Sequence, residues 1–164
     1  MSHDLSPQDL ETRLWEEIDK ERFGMLGVGE HHMQPMTMFA DKSAGKIWFY
    51  SNKDTDLARE AGGGAHAMLC LMSKDQDFQA CIGGALTVDY EKAKVDEYWS
   101  AHVSAWFPQG KDDPSLTLLR FDVKDAQVWV SKRGPLKYGF EVAKANATHT
   151  LPDIGTKAEL KLGS

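Results

Sequence analysis

A chain of 164 residues, 41% of them hydrophobic, has the length of one domain and enough apolar material for a packed core, which argues against a multidomain assembly. With 25 acidic against 19 basic residues the formal net charge is −6, so no global basic field favours nucleic acid or an anionic lipid surface. The longest wholly apolar run, Ala67 to Met72, is far too short to cross a bilayer, and the polar start Met1-Ser2-His3-Asp4 lacks a signal-peptide core, so the expectation is a soluble cytoplasmic protein.

The first element is marked by its boundaries. Ser6 suits a helix cap, Pro7 suits the first helical position, and Leu10, Leu14, Trp15 and Ile18 recur at helical spacing, which predicts a helix over residues 7–22. The period then shortens. Phe23 to Val28, Met33 to Ala40 and Lys46 to Ser51 read as a three-strand meander separated by polar turns. Asp54 or Thr55 can cap a short helix through Ala61, which Gly62-Gly63-Gly64 would stop.

Two further strands are predicted, Ala65 to Met72 and Phe78 to Tyr90, with Gly83-Gly84 as a bulge or point of close approach. They carry the two cysteines, Cys70 and Cys81, on either side of a Lys74-Asp75-Gln76-Asp77 turn. Cross-strand proximity is open, but a chain of this size needs no disulfide in a reducing compartment, and buried free thiols are expected. A helical stretch from Asp89, with Val95, Tyr98, Trp99 and His102 on one face, ends before Trp106. Leu116 to Val123 and Ala126 to Val130 read as a closing hairpin around Lys124-Asp125. A helix over Leu136 to Ala147 and an edge strand over Ala158 to Leu162 follow. Six or seven strands with helices between them favour an antiparallel barrel over a doubly wound sheet.

Most motifs that suggest chemistry have a plainer reading. Gly62 to Gly64 close a helix, whereas a phosphate-cradling loop opens one. His31-His32 are adjacent on a turn and have no third ligand at metal spacing, and no Cys/His spacing typical of zinc is present. Asp112-Asp113-Pro114 reads as a turn, and Asn146-Ala147-Thr148 as a chance glycosylation match. Two segments stand out. Lys46 to Thr55 is a strand ending in hydroxyl and amide side chains and a lysine before a helix start, which suits either a phosphate site or a solvated capped turn. Met33 to Met38 is a strand in which Pro35 cannot donate to a ladder and methionines flank Thr37. It could carry a flat aromatic ligand or a Met-filled core.

These two strands in this order, followed by Ile82-Gly83-Gly84-Ala85, Val88-Asp89 and the stretch Trp106-Phe107-Pro108-Gln109-Gly110-Lys111-Asp112-Asp113-Pro114, carry a resemblance. The sequence resembles the general stress protein 26 group of the pyridoxamine 5′-phosphate oxidase-like, FMN-binding split-barrel superfamily, from about Leu14 to Trp129. The resemblance implies a mainly β fold with peripheral helices, a six-stranded antiparallel split β-barrel in one domain. Its core would span about 14–130, with a C-terminal helix and tail over 131–164. It implies a homodimer with FMN, or FAD, bound at the subunit interface. Pro35, Met36, Thr37 and Met38 would run beside the isoalloxazine, with Phe49, Tyr50 and Ser51 on the next strand. Lys53 and Thr55 would approach the phosphate, and the partner subunit's Trp106 would cover the ring.

Where pyridoxamine phosphate oxidases follow the strand with an Arg-Lys pair, this chain has Asp56 and Leu57, which leaves Lys53 and a distant base such as Lys132 or Arg133 to hold the phosphate. The terminal substrate-binding Arg and His pattern of those oxidases is not evident. The implied function is a flavin-dependent oxidoreductase acting on an unidentified small molecule, with no nucleic acid, membrane or metal involved. A stress-response module that holds a flavin or another planar ligand without turnover is the alternative. A haem-handling barrel using His66, His102 or His149 is a third.

Overall fold

The computed structural model describes residues 5–131, 135–153 and 155–163 of the chain. Helix α1, Pro7–Glu21, begins as its sequence predicts. The Ser6 hydroxyl accepts the Asp9 N–H while the Asp9 carboxylate accepts the Ser6 N–H, a reciprocal capping box, and Arg22 ends the helix at φ 65°. Its stripe Leu10, Leu14, Trp15 and Ile18 is buried against the sheet. Arg13 bridges Glu17 and Asp77, tying α1 to the turn after residue 72.

The strands are β1 Phe23–Val28, β2 Gln34–Thr37, β3 Phe39–Asp41, β4 Lys46–Asn52, β5 Ala65–Met72, β6 Phe78–Val88, β7 Leu116–Ser131 and β8 Gly155–Lys161. All strand pairs are antiparallel, in the order β2-β1-β5-β6-β7-β4-β3, with β8 added to β7. The two ends of that path, β2 and β3, are consecutive pieces of one segment joined through the buried Met38. The sheet therefore curls until its ends meet. Counting β2 and β3 as one interrupted strand, the closed circuit has six strands, as the resemblance implies. The expected meander is present in this split form: the first half of its middle strand pairs β1 and the second half pairs β4.

Two of the expected elements need correction. Residues 116–131 form one continuous strand rather than a hairpin around Lys124-Asp125. β6 pairs with both halves, and the step from Asp125 opposite Gly83 to Val123 opposite Gly84 leaves Lys124 as an extra residue. What reads as a turn is half of a bulge, and the Lys124 carbonyl accepts the Leu162 and Gly163 N–H groups instead. The single helix expected from Asp89 is two, α3 over Lys92–Tyr98 and α4 over Ala101–Ser104. The Asp89 N–H still bonds the Leu118 carbonyl, and the Ser100 hydroxyl accepts from the Val103 N–H, starting a new helix instead of continuing the old one.

Helix α2, Asp56–Ala61, starts at Thr55, whose hydroxyl accepts the Ala58 N–H, and it buries Leu57, Ala58 and Ala61 in the main core. Of the glycines after it, Gly62 keeps a helical backbone, and the left-handed residue is Gly64 at φ 102°. Helix α5 covers Pro135–Thr148. Among the described residues no helix is long and apolar enough to cross a membrane.

There are two cores because β4 and β7 are buried on both faces. Ile47, Phe49, Leu119 and Phe121 point into the barrel, while Trp48, Leu116 and Leu118 point outward beneath α3 and α4. Phe39, Tyr50, Tyr98, Trp99 and Phe107 complete this outer aromatic cluster, with ring centroids 5.2–6.5 Å apart in the contacting pairs. Lys94 fastens α3 over it, at 3.1 Å from Asp41 and 3.0 Å from Glu97, with its ammonium over the rings of Trp48 and Tyr98.

Candidate functional site

From Met38 the chain diverges: β2 pairs only with β1, and β3 pairs with β4 only over Lys46 to Trp48. The edge of β2 facing away from β1 therefore has no strand partner among the described residues. Along β2, Pro35 is exposed, Met36 packs against the barrel core, Thr37 is half-buried on the opposite face, and Met38 is buried. The methionines are core residues, which leaves Pro35, Thr37 and main-chain groups as the accessible part of this segment.

The next predicted trio divides by strand alternation. Phe49 is fully buried in the barrel, and Ser51 is buried on the same face. Tyr50 lies on the other face, where its hydroxyl donates to the Val95 carbonyl at 2.7 Å and burial pushes its pKa well above the ordinary phenol value. Phe49 and Tyr50 thus build the walls of the two cores.

The turn from β4 to α2 gathers Ser51, Lys53 and Thr55. The Ser51 and Thr55 hydroxyls bond each other at 3.0 Å, and the one that does not donate to its neighbour donates to the Asn52 carbonyl. The Asn52 side chain accepts the Asp54 N–H. These short-range bonds fix the turn and engage both hydroxyls. Lys53 is exposed, and its N–H donates to the Ser115 carbonyl at 2.8 Å.

Sequence reasoning missed a second cation here. Arg59, one helical turn beyond Asp56, pairs with it at 2.6 Å and also donates to the Asp54 carbonyl at 2.7 Å. The signal was present in the i, i+3 spacing of opposite charges on a short helix. Asp56 is thus a neutralised carboxylate rather than a lone repulsive one. Lys132 and Arg133, the expected distant bases, lie outside the described residues.

The loop from Trp106 to Pro114 folds back beside Lys53. Asp113 holds it, accepting the Ser115 hydroxyl at 2.7 Å, the Ser115 N–H at 2.9 Å and the Gln109 N–H at 3.4 Å, bonds that keep its carboxyl below the ordinary range. Between loop and turn is an open hollow of about 400 Å³ lined by Lys53, Tyr90, Lys111, Asp112, Asp113 and Leu116. Lys111 is 3.0 Å from Asp96. Trp106 is 80% exposed, left almost bare by the described residues.

Among the described residues no group of three or more His, Cys, Asp or Glu side chains could hold a metal ion. Of the histidines considered for haem, His66, His102 and His149 are all exposed. His31 lies 3.1 Å from Glu60 on the surface.

Comparison with known proteins agrees with this architecture. The profile of the family described as pyridoxamine 5′-phosphate oxidase like matches residues 9–153. General stress protein 26 of Bacillus subtilis is 25% identical over 130 residues, covering 76% of this chain and 91% of that protein. A solved structure from Jannaschia sp. CCS1, classed with general stress protein 26, is 31% identical and superposes with a TM-score of 0.77, covering 95% of this chain and 99% of that one. The general stress FMN/FAD binding protein from the phytopathogen Xanthomonas citri is 36% identical with a TM-score of 0.72, covering 77% of this chain and 92% of that one.

Proposed function

The chain belongs to the pyridoxamine 5′-phosphate oxidase-like family, and from that premise we propose that it is a homodimeric, FMN-binding oxidoreductase acting on a small molecule. The observation that carries this reading is the free edge of β2, whose Gln34 shares a surface hollow with Asp56 and Leu57 at the start of α2, next to Lys53 and Arg59, in a chain 36% identical to an FMN/FAD binding protein. A flavin phosphate bears close to two negative charges and needs charged donors. Lys53 is free to approach it, and Arg59 has five N–H donors, of which Asp56 and the Asp54 carbonyl engage only part. Helix α2, only six residues long, contributes little beyond these side chains.

In this reading Pro35, Thr37 and the main chain of Met36 and Met38 border the ring, while the buried side chains of Met36, Met38 and Phe49 hold the strand in place behind it. Ser51 and Thr55 fix the phosphate turn through their mutual bond. Trp106, bare on its own protomer, would cover the flavin held by the other subunit, excluding water from it. Bound flavin would supply the redox chemistry, and the protein its orientation and electrostatic surroundings. The hollow beside Lys53 leaves room for the longer FAD.

One observation favours the alternative of a binding module without turnover: Arg59 is already paired with Asp56, so a phosphate must compete for it. The test is to supplement purified protein with FMN or FAD, desalt it and record the visible spectrum. Retained flavin, bleached by NAD(P)H and recoloured by an added acceptor, is the expected result. A flavin that is held but never reduced selects the binding module, and none retained overturns both readings.

A further inference from the structure

Cys70 on β5 and Cys81 on β6 are directly opposite one another, with their Sγ atoms 3.5 Å apart. The thiols are free, as expected, but not fully buried: both are partly exposed, because they lie on the outward face of the sheet. The register places them in a row with Met25 of β1 and Pro35 of β2, and Met25 is itself 41% exposed.

Strand geometry makes this pair suited to bonding. The Ser73 N–H donates to the Phe78 carbonyl at 2.8 Å, marking that opposed pair as hydrogen-bonded. Hydrogen-bonded and non-hydrogen-bonded pairs alternate, so Met72/Gln79 is non-bonded, Leu71/Ala80 bonded, and Cys70/Cys81 non-bonded. Side chains approach most closely at such a site. Opposed Cα atoms there are about 4.5 Å apart, inside the range of roughly 4.4–6.8 Å that a disulfide spans. Closing the bond requires the sulfurs to move, not the strands.

We propose that Cys70 and Cys81 form a thiol–disulfide redox site that takes low-molecular-weight disulfides as its oxidant. The thiolate of one cysteine attacks the external disulfide, forming a mixed disulfide and releasing one small thiolate. The other cysteine attacks the protein sulfur of that adduct, forming the Cys70–Cys81 bond and releasing the second. Two protein thiols are oxidised, one external disulfide is reduced to two thiols, and the two S–H protons end on the released thiols or in solvent. Burial, with Cys81 beside it, pushes the Cys70 thiol up to about 11 and keeps it protonated at neutral pH. The resting pair is therefore slow to take the first adduct and, with its sulfurs in contact, quick to resolve it. The cross-link would join β5 to β6 next to the turn that Arg13 and Glu21 hold from α1.

The test uses native full-length protein with excess oxidised glutathione as the probe, followed by acid quench, mass spectrometry and thiol titration. The expected product has lost the mass of two hydrogen atoms and both titratable thiols, yields a Cys70–Cys81 linked peptide, and regains its thiols with reductant. Its urea midpoint should lie above that of the reduced protein. Cys70→Ser and Cys81→Ser should each accumulate a stable glutathione adduct instead. Should either variant fail to fold, the linked peptide from wild type decides the matter alone. Both thiols surviving until denaturant is added, a wild-type adduct that never resolves, or a cross-link between two chains would each overturn the proposal.

Discussion

Asp56 would weaken anion binding if only its own charge counted, yet Arg59 sits on it at 2.6 Å. The pair is exposed, and its own contribution to stability is small. Its effect is on the local field. Lys53→Ala and Arg59→Ala should each raise the Kd for FMN by about tenfold, the size of a lost charge-assisted hydrogen bond. Lys46→Ala should leave it unchanged, and Asp56→Asn should lower it, all read by fluorescence titration. Equal effects at Lys46 and Lys53 would remove Lys53 from the phosphate site. Lys94 serves stability instead. The hydrogen bond from Lys94 is the main reason the Asp41 carboxyl lies below its ordinary 3.8, with burial opposing it. A lowered carboxyl pKa favours the folded state above the unfolded-state value and ceases to do so as pH falls through the lowered one. Lys94→Ala should therefore cost about 1–2 kcal/mol in urea unfolding at neutral pH. That gap should narrow as pH falls below about 4 and through the lowered Asp41 value.

Among the elements, those with strong local signals are where the sequence places them. Ser6, Pro7 and the apolar stripe mark α1 to within a residue, and β1 and β5 keep their predicted bounds because apolar runs are flanked by polar turns or glycine. The elements that differ are those in which a tertiary partner outweighs a local cue. Lys124-Asp125 carries turn residues, yet β6 pairs across them and turns the surplus residue into a bulge. The opposite side of that bulge depends on glycine. A Cβ at Gly84 would collide with the Asp122 carbonyl, a backbone atom that cannot yield. Gly84→Ala should destabilise the protein by about 3 kcal/mol, at the high end for overpacking. Gly29→Ala, at φ 58° with nothing within 4 Å, should cost about 1–2 kcal/mol from backbone strain alone. Urea midpoints would compare the two, and a milder effect at Gly84 would mean that the bulge relaxes more readily than its contacts suggest.

For the whole molecule, the indole of Trp106 is 80% exposed, and a second copy of the chain is the expected cover for it. Light scattering should give twice the chain mass at micromolar concentration. Trp106→Ala should leave the free energy of urea unfolding within about 0.5 kcal/mol of wild type, as for an exposed side chain, while reducing the quenching of bound flavin fluorescence. A monomer that still retains flavin would remove Trp106 from the site. Much of this molecule is local: hydrophobic period, helix caps and glycine stops establish α1, α2, α5, most strands and an antiparallel class, because they act within a few residues. Other features depend on contacts between residues far apart in the chain. The closure of the sheet at Met38, the division of Phe49 and Tyr50 between two cores, the continuity of β7 and the meeting of Cys70 with Cys81 all follow from which strands lie side by side. Strand pairing joins segments that no short-range pattern relates, and it alone determines which face of each strand meets solvent.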